Sequence, residues 1–125
     1  MMSIMRKGSI SAALMLSMTL CCSAIAQDLP NRAADGSLRA NGKPLYTFDT
    51  DTTPSKSSCN GPCAIVWPPY LASATAAPSA GYRVIIRDDG RQQWALNGKP
   101  LYFYASDQGD QPRGDGVNGT WHLAR

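Results

Sequence analysis

Two cysteines and one histidine, Cys59, Cys63 and His122, are the side chains of this 125-residue chain best suited to covalent or metal chemistry. A Cys-x-x-x-Cys pair has two ordinary uses. In an oxidising compartment it closes a small disulfide. Chain-entropy arithmetic gives such a short loop only about 2 kcal/mol, so its value would be local, fixing the turn that delivers Trp67. In the alternative it is a thiol-redox or copper site, since Cu(I) accepts two thiolates and an imidazole. His122 is the only histidine available for that third place. The spacing is one residue longer than the redox Cys-x-x-Cys, and no βαβ unit surrounds it. The expectation is a structural disulfide between Cys59 and Cys63 and no cofactor. A copper or thiol-redox site built from Cys59, Cys63 and His122 is the alternative.

Compartment decides which use applies, and the N-terminus speaks to it. Arg6 and Lys7 precede an apolar run from Ile10 to Leu20, and Ala24-Ile25-Ala26 follows. That is the order of a secretory signal peptide with a small-x-small cleavage site. The run is too short for a permanent membrane span. Cleavage near Ala26 would leave residues 27–125 in the periplasm or outside the cell. All five Met and two of the four Cys leave with the signal. The net charge of +3 includes Arg6 and Lys7, so the remainder is near neutral. Nothing in it attracts nucleic acid or an acidic membrane.

Other chemistries lack their residues. There is no nucleophile-elbow motif, no Gly-rich phosphate loop and no paired Glu. Every acidic residue is Asp. The loop from Asp107 through Asp110 to Asp115 matches no calcium-loop spacing and has no bidentate Glu. His122 has no orienting partner legible in sequence, and reads as a partly exposed strand residue beside Trp121. The chain is therefore read as not an enzyme.

The elements that must hold these residues announce themselves by repetition. Asn-Gly-Lys-Pro-Leu-Tyr stands at 41–46 and again at 97–102. Asn-Gly between apolar segments is a type I′ hairpin signal, because both turn residues need positive φ. The second hairpin then sets Leu96 opposite Lys99 and Ala95 opposite Pro100. Pro44 stands opposite Arg39 in the first. Tyr82 to Arg87 is β-branched and precedes the Asp88-Asp89-Gly90 turn, so 82–105 reads as a three-stranded meander. Residues 119–123 read as a last strand and 72–81 as a loop. A short helix is expected within 59–66, ended by Pro68. Alternation puts Trp94, Leu101 and Phe103 on one face and Tyr102 and Tyr104 on the other, where the tyrosines are candidates for exposure. In the first hairpin Leu38 and Leu45 share a face opposite Tyr46 and Phe48.

The repetition extends beyond the turn. Tyr46-x-Phe48-x-x-Asp51 corresponds to Tyr102-x-Tyr104-x-x-Asp107, and each unit runs on to a tryptophan, Trp67 or Trp121. Asp51 and Asp107 are read as carboxylates that accept backbone N–H groups and close the turn after each strand. One hairpin alone is marginal, so two units packed about a pseudo-two-fold axis would share one core. The fold class expected is all-β and antiparallel. The expectation is a single domain over 27–125, with repeats at about 36–71 and 82–123.

These motifs resemble the bacterial secreted-repeat family of lipoprotein type that carries a Tyr-x-(Phe/Trp/Tyr)-x-x-Asp motif. Cys59-Asn-Gly-Pro-Cys63 through Trp67-Pro68-Pro69 resembles that family's Cys-x-Gly-x-Cys…Trp-Pro-Pro signature. The likeness covers about 36–123. It implies an exported, compact, mainly β domain and brings no assigned activity. Cys21 follows Leu20 rather than the small residue that lipid attachment favours, so a lipid anchor is not expected. The reading is an exported cell-envelope binding or interaction module without enzymatic activity. It would be monomeric and not an integral membrane protein, with an envelope protein or a glycan as partner.

Overall fold

A computed structural model describes residues 29–125 and, before them, only Gly8. The signal peptide and its cleavage point lie outside the described residues. Among the described residues there are eight short strands, one helix and one 3-10 turn. The strands are β1 (Asn31–Arg32), β2 (Leu38–Ala40), β3 (Lys43–Pro44), β4 (Tyr46–Phe48), β5 (Tyr82–Ile86), β6 (Gln92–Leu96), β7 (Lys99–Pro100) and β8 (Trp121–Leu123). The helix α1 is Pro62–Val66 and the 3-10 turn is Val117–Gly119. They form three small antiparallel sheets, β1-β2-β3, β4-β8 and β5-β6-β7. Among the described residues no helix is long and apolar enough to cross a membrane.

Both Asn-Gly pairs make the expected turns. Asn41 and Gly42 have φ of 53° and 74°, and Asn97 and Gly98 have 50° and 82°. Both turn residues are thus left-handed, as type I′ requires. The registers follow from them: Arg39 opposite Pro44, Ala95 opposite Pro100, Leu96 opposite Lys99. Each proline sits where its missing N–H costs no ladder bond. Pro62 opens α1, where its fixed φ suits the first turn. Trp67 ends it, ahead of the two prolines at 68 and 69.

The two units do not stand side by side; they complete each other. The first unit's β4 pairs with β8 of the second, Tyr46 opposite Leu123 and Phe48 opposite Trp121. In turn, the second unit's segment after β7 takes the first unit's Trp-Pro-Pro segment. Phe103 N–H donates to Pro68 O at 2.7 Å and Ala105 N–H to Val66 O at 2.9 Å. The exchange is reciprocal bond for bond. Ala124 N–H donates to Leu45 O at 2.8 Å, and Tyr70 N–H donates to Leu101 O at 2.9 Å. At the centre Tyr46 and Tyr102 exchange both backbone hydrogen bonds, at 2.8 and 3.0 Å. The pseudo-two-fold axis passes between them.

The shared core divides into two clusters, each drawing on both units. One holds Leu38, Leu45, Tyr70, Trp94 and Leu101; the other holds Tyr46, Tyr102, Trp67, Trp121 and Cys59. Period-two alternation explains the split, since successive side chains of 45–46 and of 101–102 point to opposite faces. Neither face of these hairpins is left to water. That corrects the expectation of outward-facing tyrosines: Tyr102 is 0% exposed and Tyr104 half-buried. The face opposite Trp94 is a second core, because the other unit covers it.

Candidate functional site

The repeated Tyr and Asp meet across the axis, each with the other unit's partner. Tyr46 donates its hydroxyl proton to Asp107 Oδ2 at 2.6 Å, and Tyr102 donates to Asp51 Oδ2 at 2.6 Å. The same carboxylates hold the following loops. Asp51 Oδ1 accepts the Ser58 N–H at 2.7 Å and its hydroxyl at 2.6 Å, while Asp107 Oδ1 accepts the Arg113 N–H at 2.8 Å. Each aspartate therefore closes a longer loop than the turn expected for it, and it also latches the two units together. Burial first, and then the hydrogen bond to the carboxylate, push both phenols well above their ordinary pKa.

Beneath the latches lies a stack of four rings contributed alternately by the two units. Phe48 stacks on Trp121 at 4.0 Å, Trp121 on Trp67 at 3.8 Å, and Trp67 on Tyr104 at 4.3 Å. Gly114 has to be glycine here. A Cβ on it would lie 2.7 Å from Trp67 Cη2 and 2.9 Å from Tyr46 Cε1. The motif residues Tyr46, Phe48, Asp51, Trp67, Tyr102, Tyr104, Asp107 and Trp121 thus all belong to one symmetric assembly, with Tyr46, Trp67, Tyr102 and Trp121 buried and the other four half-buried at its edge.

Chemistry gathers where the two units differ. An open cleft of about 350 Å³ lies between β4–β8 and the second hairpin turn, lined by Thr47, Asp49, Leu96, Lys99, His122 and Arg125 among others. His122 Nε2, on β8, lies 2.7 Å from Asp49 Oδ2, in the turn just after β4. Arg125 is held at the edge by donating Nη1–H to Asp35 O at 2.9 Å. The backbone matches Asp49 to Ala105 and His122 to Pro68, through the equivalent bonds Asp49 N–H to Thr120 O and Ala105 N–H to Val66 O. The polar pair has no counterpart in the other half of the molecule, although the scaffold beneath it does. Sequence reasoning missed Asp49 as the partner of His122. The signal was available in the repeat comparison, read for departures rather than matches: Asp and His stand at positions that are Ala and Pro in the other copy.

A second asymmetric cluster surrounds the cysteines, which are joined as a disulfide. Cys59 is buried, and Cys63 is half-buried on α1. Arg87, 3% exposed, reaches under them. Its Nη2 donates to Cys59 O at 2.6 Å, and its Nη1 to Gln93 Oε1 at 2.7 Å and to Ser57 Oγ at 3.1 Å. His122 is engaged with Asp49, not with this cluster. Among the described residues no three His, Cys, Asp or Glu side chains group so as to hold a metal ion. The copper alternative through Cys59, Cys63 and His122 therefore finds no assembled ligand set.

With this geometry in view, comparison with known proteins is informative on one point. A family model described as a secreted repeat of unknown function matches residues 34–70 and again 83–125. No curated protein and no solved structure matches the chain.

Proposed function

The chain belongs to that family of secreted repeats, and from this premise we propose that it is an exported binding module of the cell envelope without catalytic activity. The duplicated interior is its scaffold, and the cleft around Asp49 and His122 is its binding surface. Export would follow cleavage of the signal peptide near Ala26, with mature protein starting at Gln27; a lipidated Cys21 or Cys22 in the mass spectrum would refute this.

One observation carries the reading. Asp49 and His122 depart from the pseudo-symmetry that the Tyr–Asp latches and the tryptophans Trp67 and Trp121 obey. The scaffold needs neither Asp49 nor His122, because its other half manages with Ala105 and Pro68. His122 has the orienting carboxylate of a general base, but among the described residues its ring bonds to Asp49 and to no Ser, Thr or Cys nucleophile. That supports recognition rather than turnover. The cleft also favours one partner class. Glycan sites commonly use an exposed aromatic platform, and all three tryptophans are buried here. A polar cleft with Lys99 and Arg125 beside Asp49 suits a charged segment of an envelope protein.

Site-specific photo-crosslinking in the producing cell tests this. A photoreactive side chain at Lys99 is expected to give a discrete protein adduct that His122→Ala abolishes. The same side chain at the pseudo-symmetric Lys43 should give none. Equal adducts from both positions, or none from Lys99, would overturn the assignment. Adducts to glycan alone would overturn the partner class.

A further inference from the structure

We propose that the Cys59–Cys63 disulfide is a thiol–disulfide exchange site, poised to accept two electrons from an exported dithiol protein. This inference rests on Arg87 and not on the cleft of the binding reading.

The guanidinium of Arg87 is a buried cation that donates to neutral oxygens: Cys59 O, Gln93 Oε1, Ser57 Oγ and, at 3.4 Å, Asn60 Oδ1. Its Nε is buried with no hydrogen-bond partner. The nearest paired carboxylate, Asp89, stands 4.0 Å from that Nε and is half exposed. A buried charge without a buried counter-ion is costly, and a protein normally removes or pairs it. Asp89 pairs this one only at long range and from the surface; an anion buried with it would form only on reduction. A thiolate at Cys59 would be buried, in the residue whose carbonyl Arg87 already holds. Arg87 therefore favours the reduced state over the oxidised one and makes the bond a better oxidant.

Access fits the same direction of attack. Cys59 is sealed in the aromatic cluster, whereas Cys63 lies half-exposed on a helix with no buried residue. Beside it Ile65 and Val66 are exposed, and an open cleft runs past Asn60, Gly61, Ala64 and Ile65 to Arg87. The thiolate of the partner attacks Cys63 Sγ. The S–S bond breaks and Cys59, whose carbonyl Arg87 holds, departs as thiolate. The partner's second thiolate then attacks its own sulfur in the mixed disulfide and releases Cys63. The partner leaves as a disulfide, and the protein has gained two electrons and one proton, on Cys63, while the partner's other proton goes to solvent and Cys59 stays a thiolate. Both parts of the device are absent from the other unit. There the loop position of Cys59 is Gly114, and the turn position of Arg87 is Ala33, whose hydrogen bonds with Ser37 and Gly36 repeat those of Arg87 with Arg91 and Gly90.

The test equilibrates the mature protein in glutathione buffers, traps thiols by alkylation and counts them by mass. Removing the cation with Arg87→Met should make the disulfide harder to reduce by roughly tenfold or more in equilibrium constant. Arg87→Lys should restore most of the difference, which a packing role alone would not do. Under native conditions Cys59→Ser should form a mixed disulfide through Cys63, and Cys63→Ser should stay unreactive until urea unfolds it. This trapping decides the direction of attack even if Arg87→Met fails to fold, and Arg87→Gln then supplies the neutral comparison. Equal reduction midpoints for wild type and the neutral variants, preferential reaction at Cys59, or a disulfide that yields to dithiothreitol only on unfolding would each overturn the proposal.

Discussion

A double-mutant cycle can tell whether the Tyr–Asp latches join the two units or merely decorate each one. The perturbation is Tyr46→Phe combined with Asp107→Asn, against Tyr46→Phe combined with Asp51→Asn. Tyr46 donates to Asp107 Oδ2 at 2.6 Å, while the aspartate of its own motif, Asp51, is taken by Tyr102. Tyr46 is 0% exposed, so the bond is shielded, and a hydrogen bond to a charged acceptor is worth about 1.5–3 kcal/mol. The single change Tyr46→Phe should cost somewhat more than the pairwise value. It also strips the buried Gly114 N–H of its acceptor at 3.2 Å, a loss of about 1 kcal/mol or more. The coupling energy between Tyr46 and Asp107 should then be about 2 kcal/mol, and that between Tyr46 and Asp51 near zero. Urea unfolding followed by tryptophan emission reads both, since Trp67, Trp94 and Trp121 are all buried in the fold. With a slope of about 1–2 kcal/mol per molar urea, the larger single effects shift the midpoint by over ~1 M. A coupling to Asp51 as large as that to Asp107 would refute the exchanged pairing. Absence of coupling in both cycles would refute the latch itself.

Other outcomes follow from the turns, the stack and the phenols. Gly98→Val should destabilise by more than ~1 kcal/mol, because Gly98 sits at φ +82°, whereas the exposed Lys99→Gln should leave the denaturation midpoint in place. Gly114→Ala should cost about 1–3 kcal/mol by forcing Trp67 and Tyr46 apart, visible as a lower midpoint and altered near-ultraviolet dichroism; unchanged spectra would contradict the contact. The contribution of the two buried phenols to stability should be flat with pH below about 10 and fall as pH rises beyond it. The unfolded phenols ionise there while Tyr46 and Tyr102 stay protonated in the fold, so the unfolded state binds fewer protons. Tyr46→Phe with Tyr102→Phe should flatten that fall in melting temperature between pH 10 and 12, and equal slopes would count against the raised phenols.

Much of the scaffold is local and could be read along the chain. Asn41-Gly42 and Asn97-Gly98 specify their own turns, because positive φ at two successive residues is cheap only for such pairs. Once the turns are set, the register and the two faces follow by alternation, which sorted Leu45 and Leu101 from Tyr46 and Tyr102. The helix at Pro62–Val66 and its stop before Pro68-Pro69 are equally local, as is the pairing of two cysteines so close in sequence.

What the tertiary structure alone decided is which partners those local pieces find. Tyr-x-aromatic-x-x-Asp has the same spacing in both copies, so the sequence is equally compatible with a tyrosine bound within its own unit or across to the other. Only the crossing of β4 to β8, and of the Trp-Pro-Pro segment to the second hairpin, sends Tyr46 to Asp107 and Tyr102 to Asp51. The same crossing covers the face that alternation left open, which is why Tyr102 is core and not surface. It also sets Asp49 beside His122, and it folds a loop over Arg87, which the sequence places at the end of a strand with nothing to mark it as buried. Turns and faces are fixed by interactions a few residues long. The latch, the polar cleft and the buried guanidinium depend on contacts between the two units, and identical repeats cannot encode in their spacing which copy supplies the other half.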